Sequence, residues 1–263
     1  MKIYKTTEFI KEKLDINPIT KTRLSDIKTE LSDIKNSMVI AKNETIKDIV
    51  RDAIDKYGVK ADLNFIKTHN VTDMSFLFAD TKFNGNISKW DVSNVENMKS
   101  MFSCSKFNGD ISNWNVGNVK NMEQMFCGSK FKKDISKWNV SNVKNMCNMF
   151  ADSSFSGDIS NWDVSNVTDM SGMFLSSNFN DDISRWDVSS VRDMSYMFSR
   201  SFFTGDISNW NVSNVENMSC MFEYDSWFYN VDLSKWNVDN VKNMEDIFNH
   251  CPLENNPPAW YKK

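Results

Sequence analysis

DISNWDVSNVTDMSGMFLSSNFND, residues 158–181, is the stretch of sequence that decides the fold, because close copies of it follow one another along most of the chain. When its first isoleucine is counted as position 0, tryptophan stands at position 3 and recurs there every 24 residues from Trp90 to Trp210. Two inserted residues precede Trp236, and Trp260 restores the period. A fixed period of this length is the signature of a repeat architecture.

The pattern predicts eight units of 24 residues. Fourteen of the sixteen methionines fall at two positions of the unit, which predicts that both positions belong to a core. Because so short a unit does not bury its own apolar face, neighbouring units are expected to stack into a solenoid. The units begin at Leu63, Ile87, Ile111, Ile135, Ile159, Ile183, Ile207 and Leu233.

Within a unit the apolar spacing changes, and the change predicts the local structure. Over residues 159–164 the tryptophan and the valine lie two residues apart, which is typical of one short strand. From Val167 to Phe174 the apolar residues follow an i, i+3, i+7 spacing, which predicts a short helix capped by Asn166. The predicted fold class is an α/β repeat solenoid in which each unit has one short strand and one short helix.

The repeat also resembles known families. Its Ile-x-x-Trp-x-Val spacing looks like the strand segment L-x-x-L-x-L of leucine-rich repeats, and its consensus DISNWNVSNVKNM-x-x-MF resembles the BspA-like repeats of bacterial surface and mycoplasma lipoprotein-associated proteins. The resemblance covers about residues 61–261. It implies a leucine-rich-repeat-like solenoid, adhesion or partner binding on a curved scaffold, a surface or secreted location, and no catalytic residues.

Residues 1–60 lack the repeat and are predicted to form a separate small helical segment, followed by the repeat solenoid at 61–263. Apolar residues with heptad spacing over 24–38 predict one helix. A second apolar stripe over 46–57, after a cap at Asn43 and before a glycine, predicts another. Two roles stay open for the segment: a cap packed on the first unit, or a homodimer formed through the heptad.

The last residues, 252–263, are predicted to cap the other end of the array. Trp260 adds one more tryptophan to the period, and Pro257 and Pro258 lack the N–H donors that further strand pairing would need. Terminal copies of a repeat array are expected to differ from the interior ones in this way.

Composition and charge exclude several classes of function. The chain is 40% hydrophobic and 25% charged with a formal net charge of −4, which is typical of a soluble protein and lacks the basic surplus of a nucleic-acid binder. No apolar run approaches the roughly 18 residues of a membrane helix and no signal peptide is recognisable, so a cytoplasmic location is expected for the sequence as written. The five cysteines contain no CxxC pair, which predicts no metal site. His69 and His250 lie at opposite ends of the array, so neither an enzyme nor a cofactor is predicted.

An acidic residue precedes the isoleucine or leucine of most units, from Asp62 to Asp232. Two interpretations are a ladder of calcium ligands and a set of turn caps. Carboxylates about 5 Å apart repel one another, and the N–H groups of the adjoining turn are sufficient partners for them, which favours capping. Asn86 and Asn256 hold the same place without the charge, which a cap tolerates better than a hard-cation site does.

The outward positions of the predicted strands form a polar face, which is one candidate for partner binding. A lysine or arginine appears there in every second unit, which keeps like charges about 9.6 Å apart, near the screening length at physiological ionic strength. Small polar residues offer hydrogen bonds but no anchors. The cations of this face are Lys89, Lys137, Arg185 and Lys235.

A second candidate is a group of aromatic residues in the C-terminal third. Tyr196, Phe202 and Tyr224 stand where other units have mostly small or polar residues. The insertion adds three more aromatic residues, of which Trp227 is expected to take the usual core phenylalanine position. Aromatic and arginine side chains are typical of interface hot spots. A second interpretation, equally favoured, is that the insertion buries these rings against itself. The candidate partner-binding residues are Tyr196, Arg200, Phe202, Tyr224, Trp227, Phe228 and Tyr229.

The predicted function is that of a non-enzymatic scaffold for a protein partner, with the role in adhesion or host interaction that the resemblance implies. The alternative is a structural repeat protein that self-assembles as a homodimer through the N-terminal heptad. An activity in the first 60 residues is the least favoured hypothesis, because that segment contains no recognisable pair of nucleophile and base.

Overall fold

The computed structural model describes residues 39–229 and 231–262. The chain divides into two compact units, Met1–Val39 and Ile40–Lys263. Apart from Val39, the first unit lies outside the described residues, and so does the helix predicted from the heptad spacing.

Regular elements are few in the described part of the chain. Strand β1, Val39–Lys42, pairs with strand β2, Ile66–Asn70, in a two-stranded sheet. Helix α1 spans Ile46–Tyr57, and a 3-10 helix spans Pro252–Glu254. Between β2 and the 3-10 helix the described chain consists of turns, extended segments and isolated bridges.

Helix α1 confirms the helix predicted from the second apolar stripe. Its buried face carries Ile46, Val50 and Ala53, which share one apolar core with the repeats. The helix ends at Gly58, whose φ of 88° lies in the left-handed region and whose N–H donates to the carbonyl of Ile54. Helix and repeats therefore belong to one compact unit, whereas the sequence analysis placed the helix in a separate segment, 1–60.

Asn43 does not cap this helix, so that detail of the prediction is wrong. The residue at the N-cap is Thr45, and Asn43 Oδ1 instead accepts the N–H groups of Thr72 at 2.8 Å and Asp73 at 3.1 Å. In the following copy of the repeat, the equivalent N–H groups donate to a backbone carbonyl, that of Thr72. Asn43 therefore takes the place of a preceding copy at the N-terminal end of the repeats.

Successive copies of the repeat lie side by side in parallel register. Four N–H groups of each copy, at positions 11, 13, 15 and 17, donate to the carbonyls at positions 10, 12, 14 and 16 of the next copy. In the copy that begins at Ile135, these donors are Met146, Asn148, Phe150 and Asp152, at 2.8–3.0 Å from their acceptors. The chain is therefore a repeat protein. Parallel bridges join, in order, Asp73, Asn97, Asn121, Asn145, Asp169, Asp193, Asn217 and Asn243.

The predicted strand over 159–164 and the predicted helix over 167–174 are both wrong. Both segments are series of turns in which an N–H reaches back three residues, as from Trp162 to Ile159 and from Met173 to Met170, each at 3.1 Å. A helix does not form because alternate N–H groups point to the next copy. Asn166 is not a helix cap either, since its Nδ2 donates to the carbonyl of Ser141 in the preceding copy at 2.9 Å.

The tryptophans hold neighbouring copies together by hydrogen bonding as well as by burial. Trp162 is 3% exposed, and its indole N–H donates to the carbonyl of Ile135 in the preceding copy at 3.1 Å. The core phenylalanines stack along the array, with ring centroids 6.0 Å apart for Phe150 and Phe174. The same indole bond is made by Trp90, Trp114, Trp138, Trp186, Trp210, Trp236 and Trp260.

Two positions of each copy, 13 and 17, lie in the left-handed backbone region with φ between 52° and 63°. Only Gly128 and Gly172 are glycines there, and the other fourteen residues have side chains. This conformation costs an L-residue about 1–2 kcal/mol. The same residues donate their N–H groups to the next copy where one follows, so hydrogen bonds between copies offset the backbone strain.

Candidate partner-binding surface

Five aromatic candidates of the C-terminal third are exposed on two adjacent copies of the repeat. Tyr196 and Tyr224 are 44% exposed, and Phe202, Trp227 and Tyr229 are 50–51% exposed. We call these five residues, together with the exposed Arg200, the aromatic surface. Five of the nine exposed large hydrophobic residues in the described part of the chain belong to it, which makes it the largest such concentration there.

Ring contacts join members of the aromatic surface across adjacent copies. The guanidinium carbon of Arg200 lies 5.2 Å from the ring centroid of Tyr224, a cation–π distance. On its other side Tyr224 stacks on His250, with ring centroids 4.4 Å apart. The rings of Phe202 and Trp227 lie 6.5 Å apart. His250 was not among the candidates predicted from the sequence, although it holds position 17 one copy after Tyr224.

The backbone positions three of these side chains firmly. Tyr196 is at position 13, and Arg200 and Tyr224 are at position 17, all with φ between 55° and 58°. Each N–H is bonded to a carbonyl of the following copy at 2.8–2.9 Å. The surface side chains are therefore carried by a hydrogen-bonded backbone and not by a free loop.

Phe228 is not part of the surface, and Trp227 is not in the core, so the places predicted for these two residues are exchanged. Phe228 is fully buried, and its ring stacks on Phe222 at 4.2 Å and lies 6.3 Å from Phe203 of the preceding copy. One of the two inserted residues comes before the core phenylalanine and shifts its position by one. Trp227 is thereby displaced outward, beside Phe202.

A buried carboxyl group lies beneath the insertion. Asp225 is fully buried, with Oδ1 accepting the N–H of Trp227 at 3.0 Å and Oδ2 accepting the hydroxyl of Ser201 at 2.9 Å. Burial raises the pKa of Asp225 to about 6, although bonds from Trp227, Ser201 and the N–H of Phe228 lower it. This carboxyl group was not predicted from the sequence. Its signal was the serine that five other copies have at this position, Ser105, Ser129, Ser153, Ser177 and Ser201.

The acidic ladder at the start of the copies consists of turn caps, as predicted. Asp158 Oδ1 accepts the N–H of Ser160 at 2.9 Å and its hydroxyl at 2.7 Å, and these two groups lower the pKa of Asp158. The polar face is built of turns as well, because Asp163 Oδ1 accepts the N–H of Ser165 in the same way. Backbone N–H bonds of this kind are also made by Asp110, Asp134, Asp182, Asp206 and Asp232.

The comparison with family models identifies the family of the chain. A model described as "Mycoplasma protein of unknown function, DUF285" matches residues 46–156 and again residues 151–260. The chain belongs to this family. No curated protein and no solved structure matches it.

The two DUF285 matches include both α1 and the aromatic surface. The first match begins at Ile46, the first residue of the helix, so the family model covers the helix together with the repeats. The second match includes every residue from Tyr196 to Tyr229. Within residues 39–229 and 231–262, no helix is long and apolar enough to cross a membrane, and no group of three or more His, Cys, Asp or Glu side chains is arranged to hold a metal ion.

Proposed function

We propose that this DUF285 chain is a solenoid of eight 24-residue units, related to the BspA-like, leucine-rich-repeat-like proteins, and that it is a non-enzymatic scaffold for a protein partner. The parallel bridges that run from Asp73 to Asn243 support the solenoid. The observation that carries the function is the aromatic surface, which departs from an otherwise strict repeat. The partner binds across the copies that begin at Ile183 and Ile207, and adhesion is the role we assign to the complex.

The composition and rigidity of the aromatic surface support this proposal. Tyrosine, tryptophan and arginine are enriched among interface residues whose truncation costs 2 kcal/mol or more. Aromatic side chains lose little rotamer entropy when a partner covers them, and a backbone already held by hydrogen bonds has little freedom left to lose on binding. A protein surface with a flat apolar area and a complementary acidic group for Arg200 is the kind of partner that fits.

Site-specific photo-crosslinking tests whether the aromatic surface binds a protein partner. A benzoylphenylalanine replaces Phe202 in one variant and Phe76 in a matched control. Phe76 is also half-exposed, at 50%, but lies in the first copy of the repeat. We expect one protein to be cross-linked from position 202 and not from position 76. Mass spectrometry identifies that protein, and its affinity is then measured with purified components.

The affinity measurement uses a triple variant, Phe202→Ser, Tyr224→Ser and Trp227→Ser. Loss of three hot-spot side chains weakens binding by about 100-fold or more. All three residues are half-exposed, so the thermal transition is expected to change little. Equal binding by the triple variant and by Phe76→Ser would remove the aromatic surface from the proposal.

A second candidate function is self-assembly through the N-terminal heptad over 24–38, which lies outside the described residues. The apolar heptad spacing is the observation that favours it. Light scattering of the full chain distinguishes the two functions, since assembly through the heptad gives a dimer that Leu31→Lys dissociates. A chain that stays monomeric at high concentration contradicts self-assembly through the heptad.

A further inference from the structure

The insertion that carries Trp227 is held by few hydrogen bonds. Over its described residues, 226–229, one bond between backbone groups is formed, from the N–H of Tyr229 to the carbonyl of Trp227 at 3.0 Å. The N–H groups of Trp227 and Phe228 donate to the carboxyl group of Asp225 instead, the first at 3.0 Å. Asp225 is therefore the main polar anchor of the insertion.

This anchor differs chemically from the one in the preceding copy. There the same position holds Ser201, whose hydroxyl oxygen accepts the N–H of Phe203 at 3.2 Å. A hydroxyl group does not ionise near neutral pH, whereas a carboxyl group does. The insertion thus depends on an acceptor whose charge can change. The same serine bond is made to the N–H groups of Phe107, Phe131, Phe155 and Phe179.

The groups that face Asp225 do not neutralise its charge. From the preceding copy, the hydroxyl of Ser201 donates to its Oδ2 at 2.9 Å. From the following copy it faces the buried thiol of Cys251. Burial, with the charges of Asp225 and Glu254, raises the pKa of that thiol to about 11, so it is uncharged near pH 7. Among the residues that the structure describes, no cationic side chain acts on the pKa of Asp225.

Ionisation of Asp225 therefore favours an open insertion. A fully buried carboxylate without a cation has lost its hydration, and water reaches it when the N–H groups of Trp227 and Phe228 release it. The pKa is about 6 in the closed insertion and has its ordinary value of 3.8 in water. By linkage, the ratio of closed to open insertion falls by about 100-fold over this range of pH. The response is local because so few bonds hold the segment.

We propose that Asp225 is a pH-sensitive switch that holds the insertion closed in mild acid and lets it open near neutral pH. Because the insertion carries Trp227 and Tyr229, the aromatic surface is complete in the closed state. In the open state Trp227 leaves its place beside Phe202. Opening is a property of the free chain, so the inference goes beyond the proposed function and does not depend on a partner.

Hydrogen exchange of single N–H groups, followed by nuclear magnetic resonance on the free full chain, tests the switch. After correction for the intrinsic effect of pH on exchange, the protection of Trp227 and Phe228 is expected to fall by roughly 50-fold from pH 4 to pH 7.5. In Asp225→Asn it is expected to stay constant, because an amide does not ionise. The N–H of Phe179, bonded to the hydroxyl of Ser177 at 3.1 Å, is the internal control and keeps its protection in both proteins.

Two results of the exchange experiment overturn the inference. One is equal protection of Trp227 at pH 4 and pH 7.5, or the same fall in Asp225→Asn. The other is an equal fall at Phe179, which would show that the whole chain unfolds and that the insertion does not open by itself.

Limited proteolysis gives a second readout at a single pH. At pH 7.5 chymotrypsin is expected to cleave the wild type within residues 227–229 at least about tenfold faster than Asp225→Asn, because cleavage follows the open population. Equal cleavage of the two proteins overturns the inference. Failure to cross-link a partner changes neither measurement, so the switch and the proposed function fail separately.

Discussion

Asp225 makes the stability of the chain depend on pH in a direction opposite to that of turn-capping aspartates such as Asp158, whose pKa is lowered. Its pKa is raised by burial from an ordinary value of 3.8 to about 6, so the folded chain binds a proton there more tightly than the unfolded chain does. Between these two pH values the folded state carries the extra proton, and stability falls as the pH rises. Above about pH 6 this loss of stability is complete. The change Asp225→Asn abolishes it, because an amide does not ionise.

The structure also gives the size of the stability that is lost when Asp225 ionises. The difference between 3.8 and about 6, at 1.36 kcal/mol per pH unit, corresponds to an upper limit of about 3 kcal/mol. Asparagine keeps the acceptor for the N–H of Trp227, and its amide donates to the hydroxyl of Ser201 in place of the bond observed. The variant is therefore expected to be more stable than the wild type by about 1–3 kcal/mol at pH 7.5, and about equally stable at pH 4.

Urea unfolding followed by circular dichroism, at pH values from 4 to 7.5, measures the difference between variant and wild type. Taking the difference at each pH removes the contribution of the other carboxyl groups. Asp158→Asn is the matched control: the pKa of Asp158 is lowered, so that group stabilises the fold above its unfolded pKa and the variant is less stable at pH 7.5. A stability difference for Asp225→Asn that does not change with pH, or that has the opposite sign, refutes the reasoning.

Three further predictions concern the contacts between copies. Trp162→Phe removes the donor to the carbonyl of Ile135, which stays buried. The change is expected to destabilise the chain by about 2–4 kcal/mol in urea unfolding. Trp260→Phe removes the same kind of bond at a half-buried position at the end of the array, so it is expected to cost less stability. Ser176→Gly relieves a left-handed φ of 52° and raises the thermal midpoint, while Gly172→Ala lowers it, because φ there is 60° and the new Cβ would lie 2.1 Å from Asn148 Oδ1. Equal shifts of the thermal midpoint for the two variants would contradict the left-handed backbone strain assigned to these positions. Asn43→Ala costs about 1–2 kcal/mol and speeds hydrogen exchange at Thr72 and Asp73, and unchanged exchange there would show that Asn43 does not substitute for a preceding copy.

Local sequence signals predicted the features that depend on local contacts. The apolar stripe and Gly58 located α1, because a helix satisfies most of its hydrogen bonds within itself. The 24-residue period identified the core, since residues such as Trp162, Met170 and Phe174 are apolar in every interior copy and buried in the structure. The aspartate caps were also predicted, because Asp158 and Ser160 lie only two residues apart.

The aromatic surface was predicted in its composition but not in its arrangement. The departures at Tyr196, Phe202 and Tyr224 were visible in the repeat and are exposed in the structure. The exchange of Trp227 and Phe228 was not visible, because a two-residue insertion has several possible placements along the sequence. Packing decides among them: of residues 227–229, Phe228 is the one whose ring stacks on Phe222.

The sequence by itself determined that the chain is a repeat, which positions form its core and where its one described α-helix lies. Only the tertiary structure decided the backbone of the copies, the buried state of Asp225 and the placement of Phe228 in the core beside Phe203 of the preceding copy. The physical reason is the same for all three. Their hydrogen bonds and their burial depend on residues about 24 positions away in a neighbouring copy, and no local pattern of apolar and polar residues records whether such a neighbour donates, accepts or is missing.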